Sequence, residues 1–247
     1  MRATDGAAFV GGGTVVMGGL WPERPLVLVD LCDAGLVGLS LGEDGLRIGA
    51  GVTVTRLRKA LGAWIAERRL DGFGLGALTD ALAAFSPTVV ADVATVGGNI
   101  ATGIGSLIGP LTLLDAVARV RRSDGATVAI PVAEAVTCPG LIETVELVPG
   151  SDSSAYMPLQ RTPAGPAVVA VSVALRADSM AEVVVTVTGS FPQRVTIPVE
   201  PNDRVVSAMT RALGPFAGDP RASSRYRAAM AGVLVQRLVT RLTRTKP

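Results

Sequence analysis

The most informative segment of this sequence is Ala94-Thr95-Val96-Gly97-Gly98-Asn99-Ile100-Ala101. Its two adjacent glycines allow the close approach of a flat ligand or of a second backbone, and Thr95 and Asn99 offer hydrogen bonds beside them. The segment lies within residues 93–114, which hold five glycines and Pro110 but no charged side chain. This composition predicts glycine-rich loops flanking short buried elements rather than a membrane-spanning helix.

A second glycine cluster, Gly11-Gly12-Gly13-Thr14, follows a predicted strand at residues 7–10. A run without side chains lets backbone N–H groups approach a phosphate closely, and the threonine hydroxyl adds a donor. The cluster lacks the lysine of a P-loop, and Val16 stands where a dinucleotide fingerprint has its third glycine. The cluster therefore predicts a phosphate-binding loop of another kind, or a tight turn between buried strands.

Composition narrows the chemistry that the chain can carry out. The 247 residues are 49% hydrophobic, and none is histidine. Hydrolases that need imidazole, most catalytic zinc sites and haem ligation are thereby excluded. Cys32 and Cys138 form no Cys-x-x-Cys pair, so no iron–sulfur or zinc thiolate framework is expected. These exclusions favour a protein that uses a bound cofactor, or one that only binds a ligand in a pocket.

Charge and the start of the chain bear on partners and location. The net charge is only +2, so no nucleic-acid partner is expected. Residues 221–247 carry seven basic side chains and no acid, which indicates a solvated helix face or a docking surface. The residues after Met1 lack the basic stretch and hydrophobic run of a secretory signal. We expect a cytoplasmic protein without a membrane span.

Hydrophobic periodicity predicts an α+β architecture that changes character near residue 150. In the first half, short strands alternate with a helix that starts at Thr53 and ends near residues 71–72, and with a second helix at 79–85. The second half has β-branched runs typical of an antiparallel sheet, followed by helices through Leu213 and from Ser223 or Ser224 onward. The predicted strands are 7–10, 26–29, 46–52, 118–122, 127–130, 142–148, 168–175, 183–188 and 195–199.

An ordered set of motifs connects the two halves. They are Gly12-Gly13-Thr14, Leu28-Val29-Asp30-Leu31, Leu46-Arg47-Ile48-Gly49-Ala50 with Thr53, Ala94–Ala101, Leu113-Leu114-Asp115-Ala116, Ala155-Tyr156 with Arg161, and Asp219–Arg227. In order and spacing this set resembles the FAD-binding medium subunits of molybdenum hydroxylases, which include carbon monoxide dehydrogenase and bacterial xanthine dehydrogenases. The resemblance covers nearly the whole chain.

The resemblance implies a PCMH-type FAD-binding fold over residues 1–150, shortened at its N-terminus, followed by a C-terminal α+β domain over residues 151–247 made of an antiparallel sheet plus helices. In such flavoprotein subunits, electrons reach FAD from molybdopterin and iron–sulfur clusters on partner chains and pass to an acceptor such as NAD or a quinone. It therefore implies an FAD-dependent oxidoreductase subunit with no metal site of its own and no assigned catalytic residue. The implied cofactor-binding residues are Gly11, Gly12, Gly13, Thr14, Val15, Thr95, Gly97, Gly98, Asn99, Ser106 and Tyr156.

Tyr156 has two interpretations at this stage. In the resembling family an aromatic side chain at this place often lies over the flavin ring. The alternative is a half-buried core tyrosine with a hydrated hydroxyl.

Departures from the family pattern favour a second hypothesis. Val15 stands where an aspartate is usual, Ala91-Asp92 where an Arg-Asn pair is usual, and no acid follows Asn99 up to residue 114. Each unpaired polar group of a buried FAD costs a few kcal/mol. The alternative is a flavin-free descendant of the fold that takes an apolar biosynthetic small molecule, as a binding protein or as a cofactor-independent cyclase for a cyclisation or rearrangement such as a cycloaddition. Its cleft would be lined by Val15, Val16, Met17, Ile104, Leu107 and Ile108.

Overall fold

In this computed structural model, helices and mostly antiparallel strands form the α+β architecture that the periodicity predicts. The described residues are 7–18, 27–71, 73–85, 87–148, 150, 153–162, 165–188, 191–199, 209, 212–216 and 218–244. The strands are β1 (Ala7–Val10), β2 (Val27–Asp30), β3 (Leu39–Gly42), β4 (Gly45–Gly49), β5 (Val117–Arg121), β6 (Thr127–Pro131), β7 (Leu141–Leu147), β8 (Ser153–Gln160), β9 (Ala167–Leu175), β10 (Met180–Thr186) and β11 (Gln193–Pro198). The helices are α1 (Val54–Ala66), α2 (Gly76–Ala83), α3 (Thr88–Val93), α4 (Val96–Ala101), α5 (Ile108–Leu113) and α6 (Ser224–Arg244).

The first 148 residues contribute two sheets. β1 and β2 pair in parallel, and a five-stranded antiparallel sheet follows in the order β3-β4-β7-β5-β6. Helix α1 begins after Thr53, whose hydroxyl accepts a hydrogen bond from the N–H of Arg56 at 3.3 Å and so caps the helix. Leu57 and Leu61 are buried in the core, where α1 contacts α2 and α3, whereas Ile65 is 46% exposed.

The later residues form a four-stranded antiparallel sheet in the order β11-β10-β9-β8. Helix α6 covers one face, where Val169, Val171 and Val173 are buried. The neighbouring small residues Ala170 and Ala174 point to the other face, which α2 and α5 cover. Because helices lie on both faces, β9 lacks the polar alternation of a half-exposed strand. The predicted boundary near residue 150 falls between β7 and β8, and the division into two domains stays a prediction.

Several predicted bounds are wrong for identifiable reasons. Helix α1 ends at Ala66 because the backbone turns at Arg68, which has a φ of 58°. Strand β8 carries Pro158 and few β-branched residues, so its pattern is weak, yet Pro158 is tolerated because β8 is an edge strand. The predicted helix before Leu213 falls largely on residues 200–208, 210 and 211, outside the described residues.

The C-terminal arginines are not all on a solvated face, as one interpretation of the sequence held. Arg227 is only 1% exposed and its Nη2 lies 2.6 Å from Oδ1 of Asp219. The amide N–H of Tyr226 donates to the Ser223 hydroxyl at 3.2 Å, so Ser223 caps α6 as predicted. Within the part of the chain that the structure describes, no helix combines the length and apolarity needed to cross a membrane.

Candidate functional site

A cavity of about 810 Å³ lies between the N-terminal residues, α3 and α4, and the four-stranded sheet. Its size is within the range of small-molecule and cofactor sites. All eleven residues expected at the cofactor site line this cavity. They are Gly11, Gly12, Gly13, Thr14, Val15, Thr95, Gly97, Gly98, Asn99, Ser106 and, from β8, Tyr156.

The loop of residues 11–14, hereafter the glycine loop, lies directly on the backbone that precedes α4. A Cβ atom on Gly12 would stand 1.7 Å from the carbonyl oxygen of Val93, and one on Gly11 would stand 2.6 Å from Oγ1 of Thr95. Gly13 has a φ of +66°, a conformation that side chains disfavour. Glycine is therefore required here for close packing and for the turn itself.

The glycine loop presents unused hydrogen-bond donors. Among the described residues, the amide N–H groups of Gly12, Gly13 and Thr14 have no hydrogen-bond partner, whereas the Gly13 carbonyl accepts from the N–H of Met17 at 2.8 Å. Successive free amides at a glycine-rich bend form a concave site for an anion. The loop thus has the donor set that a phosphate group needs.

The second glycine cluster is not a loop. Thr95 is the N-cap of α4, and its hydroxyl accepts from the N–H of Gly98 at 3.2 Å. The N–H of Gly97 donates to Ala50 at 2.8 Å and that of Asn99 to Thr95 at 2.9 Å, both to carbonyl oxygens. The main-chain amides of Gly97, Gly98 and Asn99 are therefore already used within the protein.

The glycines of α4 serve the approach of a second backbone. A Cβ on Gly97 would stand 2.6 Å from the Cβ of Ala50, so the helix can lie against the end of β4 only with glycine there. Asn99 is 9% exposed, and its Oδ1 accepts from the N–H of Leu107 at 2.9 Å. Gly105 lies over the Asn99 side chain, where a Cβ would stand 1.9 Å from Oδ1. Asn99 therefore fixes the loop that carries Ser106.

Two residues that line the cavity carry buried hydroxyl groups without a partner. They are Oγ of Ser106 and the phenol of Tyr156, which both lack a hydrogen bond within the described residues. Tyr156 is 3% exposed, so the interpretation as a half-buried tyrosine with a hydrated hydroxyl is wrong. Burial raises the pKa of the Tyr156 phenol far above its ordinary value, so the group stays a neutral donor. Orphaned buried hydroxyls in a cavity indicate a polar ligand group.

The walls between these donors are apolar. Of the aliphatic residues that the sequence places in the cleft, Val15, Val16 and Ile104 line the cavity. The other three do not line it. Met17 is 79% exposed, and Leu107 and Ile108 are buried in the core.

Charge is scarce in the cavity. Asp92 is the only charged side chain among the described residues that line it, and its Oδ1 accepts from the hydroxyl of Thr55 at 2.6 Å. Cys32 also lines the cavity, and the contact with the Asp30 side chain raises the pKa of its thiol. The thiol is therefore neutral near pH 7 and is a poor nucleophile.

Sequence reasoning missed the wall that the second sheet supplies. Besides Tyr156, this wall includes Pro158 and Gln160 of β8, Ala167 and Ala170 of β9, and Thr186 of β10. Tyr156, Pro158 and Gln160 are two residues apart along one strand, so the period of two could have placed them on one face once β8 was recognised.

Three solved structures have the same fold over almost the whole chain. They are reconstituted CO dehydrogenase from Oligotropha carboxidovorans (TM-score 0.78, 21% identity, 97% of this chain and 91% of that chain), carbon monoxide dehydrogenase from Hydrogenophaga pseudoflava lacking the Mo-pyranopterin moiety of its cofactor (0.79, 18%, 98% and 91%), and quinoline 2-oxidoreductase from Pseudomonas putida 86 (0.76, 17%, 97% and 90%). No curated protein matches the sequence.

A family model described as the FAD binding domain in molybdopterin dehydrogenase matches residues 1–148. Together with the shared fold, this match confirms the resemblance drawn from the ordered motifs and supports FAD as the cofactor. The chain belongs to the family of FAD-binding domains of molybdopterin dehydrogenases.

Proposed function

We propose that this chain is the flavin subunit of a molybdenum hydroxylase and holds FAD in the cavity between the glycine loop and the second sheet. The observation that carries the proposal is that one cavity of about 810 Å³ is lined both by the glycine loop with its free amides and by two residues with orphaned buried hydroxyls. These groups fit a ligand that has both an anionic diphosphate and a polar ring system.

The glycine loop would hold the diphosphate. The free amides of Gly12, Gly13 and Thr14 supply neutral donors, and the absence of side chains lets phosphate oxygens reach them. Gly11 and Val15 flank these amides and shape the same wall. Because the described lining residues include no cation, main-chain dipoles replace the arginine or lysine that phosphate sites often use.

The hydroxyls of Ser106 and Tyr156 would bind the polar groups of the flavin. A phenol with a raised pKa donates a hydrogen bond without carrying charge. Thr95, Gly97 and Gly98 form the opposing wall, and Asn99 holds the Ser106 loop in place.

When bound, FAD supplies two-electron redox chemistry that the side chains of the cavity lack. We propose that molybdopterin and iron–sulfur partner chains deliver the electrons and that an acceptor such as NAD or a quinone removes them. The structural relatives, which include a carbon monoxide dehydrogenase with a molybdenum cofactor and a quinoline 2-oxidoreductase, support this assignment. The FAD-dependent oxidoreductase role and the cytoplasmic location are part of the same proposal.

The test is a titration of the purified protein with FAD, followed by visible absorption and by thermal unfolding. We expect flavin absorption bands to remain with the protein after gel filtration, and FAD at about 100 times its Kd to add about 2.7 kcal/mol of stability. Riboflavin, which lacks the diphosphate, is the control ligand and should bind more weakly.

A colourless protein that neither retains FAD nor is stabilised by it would overturn the proposal. The apolar walls and the lack of a lining cation within the described residues would then favour the flavin-free alternative, an enzyme or binding protein for an apolar small molecule.

A further inference from the structure

One carboxylate outside the cavity contacts both the cavity wall and the last helix. Asp80 lies on α2, and its Oδ2 accepts a hydrogen bond from the backbone N–H of Tyr156 at 2.9 Å. The same oxygen lies 2.5 Å from Nη2 of Arg241 on α6. Asp80 and Tyr156 are 76 residues apart, and Asp80 and Arg241 are 161 residues apart.

The contact matters because β8 is the edge strand of its sheet. Among the strands that the structure describes, β8 pairs with β9 alone, so the amides on its other side have no described strand to bind. Asp80 supplies the acceptor that a neighbouring strand would otherwise supply to Tyr156. A hydrogen bond to a charged acceptor is stronger than a neutral one, and the ion pair with Arg241 orients that acceptor.

Further hydrogen bonds between a side chain and the main chain hold α2 against β8. The Ser154 hydroxyl accepts from the N–H of Ala77 at 2.9 Å and donates to the carbonyl oxygen of Gly74 at 2.5 Å. A Cβ on Gly76 would stand 2.0 Å from the carbonyl oxygen of Ser154, so the helix and strand approach as closely as backbones can. Asp80 is therefore held at a fixed distance from Tyr156.

We propose that Asp80 and Arg241 are positioning residues that hold the Tyr156 phenol in the cavity wall. The significance of this role for the flavin rests on the proposed function, but the positioning itself does not. Through these two residues, the packing of the C-terminal helix α6 controls a side chain of the cavity more than 80 residues earlier in the chain.

The test measures how often Tyr156 leaves the wall, with no cofactor added. Tetranitromethane nitrates exposed tyrosines, and the chain has two tyrosines, Tyr156 at 3% exposed and Tyr226 at 47% exposed. Peptide mass spectrometry gives the ratio of the nitration rates of Tyr156 and Tyr226. This ratio measures how often Tyr156 becomes accessible to the reagent in the folded protein. Tyr226 is the internal reference for reagent and time.

The variants are Asp80→Ala, Asp80→Asn and Arg241→Gln. We expect Asp80→Ala to raise the ratio about tenfold, as the loss of one charge-assisted hydrogen bond implies. Asp80→Asn and Arg241→Gln should each raise it about threefold, since both remove the ion pair but leave an oxygen that can accept from the N–H of Tyr156. Arg237→Gln, at an exposed arginine on the same helix with no ion pair among the described residues, is the matched control and should leave the ratio unchanged.

An unchanged ratio in a folded Asp80→Ala protein would overturn the proposal. If that variant does not fold, unchanged ratios in both Asp80→Asn and Arg241→Gln would do so. FAD titration of the same variants separates the two proposals: a wild-type chain that fails to bind FAD but shows the expected ratios refutes only the proposed function. If both proposals hold, Asp80→Ala weakens FAD binding by about the factor that Tyr156→Phe does.

Discussion

At Gly12, the addition of a single methyl group would prevent the glycine loop from keeping its position. Its Cβ would stand 1.7 Å from the backbone carbonyl oxygen of Val93, which cannot rotate away as a side chain does. We expect Gly12→Ala to displace the loop and to weaken FAD binding at least tenfold, because the free amides then no longer converge. The measurement is the Kd from FAD titration.

The matched control for that change is Gly62→Ala. Gly62 lies on the exposed side of α1, and no atom lies within 4 Å of its added Cβ. We expect this variant to bind FAD normally and to be more stable by up to about 1 kcal/mol, because alanine favours helix. Equal FAD affinity in Gly12→Ala and in the wild type would contradict the role of the loop.

The two orphaned hydroxyls give a second prediction for single residues. Tyr156→Phe and Ser106→Ala remove one oxygen each and leave the surrounding shape nearly intact. Because neither oxygen has a partner in the described residues, neither change should lower the free energy of unfolding without ligand, whereas each should raise the Kd for FAD by about three- to tenfold. Loss of stability without a change in Kd would show that the hydroxyls serve the fold and not the ligand.

Among the elements, the connection between α4 and α5 depends on one amide side chain. Asn99 on α4 holds the N–H of Leu107 through Oδ1, and Gly105 lies against the same side chain. We expect Asn99→Ala to lower the free energy of unfolding by about 1–3 kcal/mol, because a buried N–H loses its acceptor. Urea denaturation measures this loss, and Asn99→Asp is the control because it keeps an acceptor oxygen.

An ion pair at the start of α6 makes the free energy of unfolding depend on pH in the acid range. The hydrogen bond from the buried Arg227 side chain is the largest of the effects that lower the pKa of Asp219, from 3.8 to about 2. A lowered pKa in the folded state stabilises the protein above pH 4, and this stabilisation is lost as the pH falls from about 4 to 2. We expect a loss of about 2 kcal/mol over that range, measured by urea denaturation at each pH.

Asp219→Asn should remove this part of the acid dependence. It should also destabilise the protein by about 3 kcal/mol at pH 7, because it leaves the buried Arg227 charge without its carboxylate. Asp44→Asn, at an exposed carboxylate in the β3–β4 turn, is the control and should keep the dependence. An unaltered acid profile in Asp219→Asn would contradict the assignment to this pair.

For the whole molecule, the distribution of charge predicts how FAD binding responds to salt. The cavity has no cationic side chain among its described lining residues, so screening has little attraction to weaken. We expect the Kd for FAD to change less than about twofold between roughly 0.05 and 0.5 M NaCl, with uncharged riboflavin as the reference ligand. A tenfold weakening would show that cations hold the diphosphate.

Local sequence patterns were enough to predict the family and most of the secondary structure of this protein. The order of Gly12-Gly13-Thr14 and Ala94–Ala101 identified the family, because glycines are needed wherever two backbones or a backbone and a ligand come within a few ångströms. Periodicity placed most strands and helix α1, because alternation and the 3.6-residue repeat are properties of neighbouring residues. It missed β3, which is only four residues long, and β8, which carries a proline and few β-branched residues.

Only the tertiary structure showed which hydrogen-bonding groups around the cavity are free, because their partners are distant in the sequence. No spacing rule shows that Ala50 and Thr95 already occupy the amides of Gly97 and Gly98, or that Asp80 serves Tyr156 from 76 residues away. Which donors and hydroxyls remain free depends on the partners that the other polar groups find, and those partners are known only once the chain has packed.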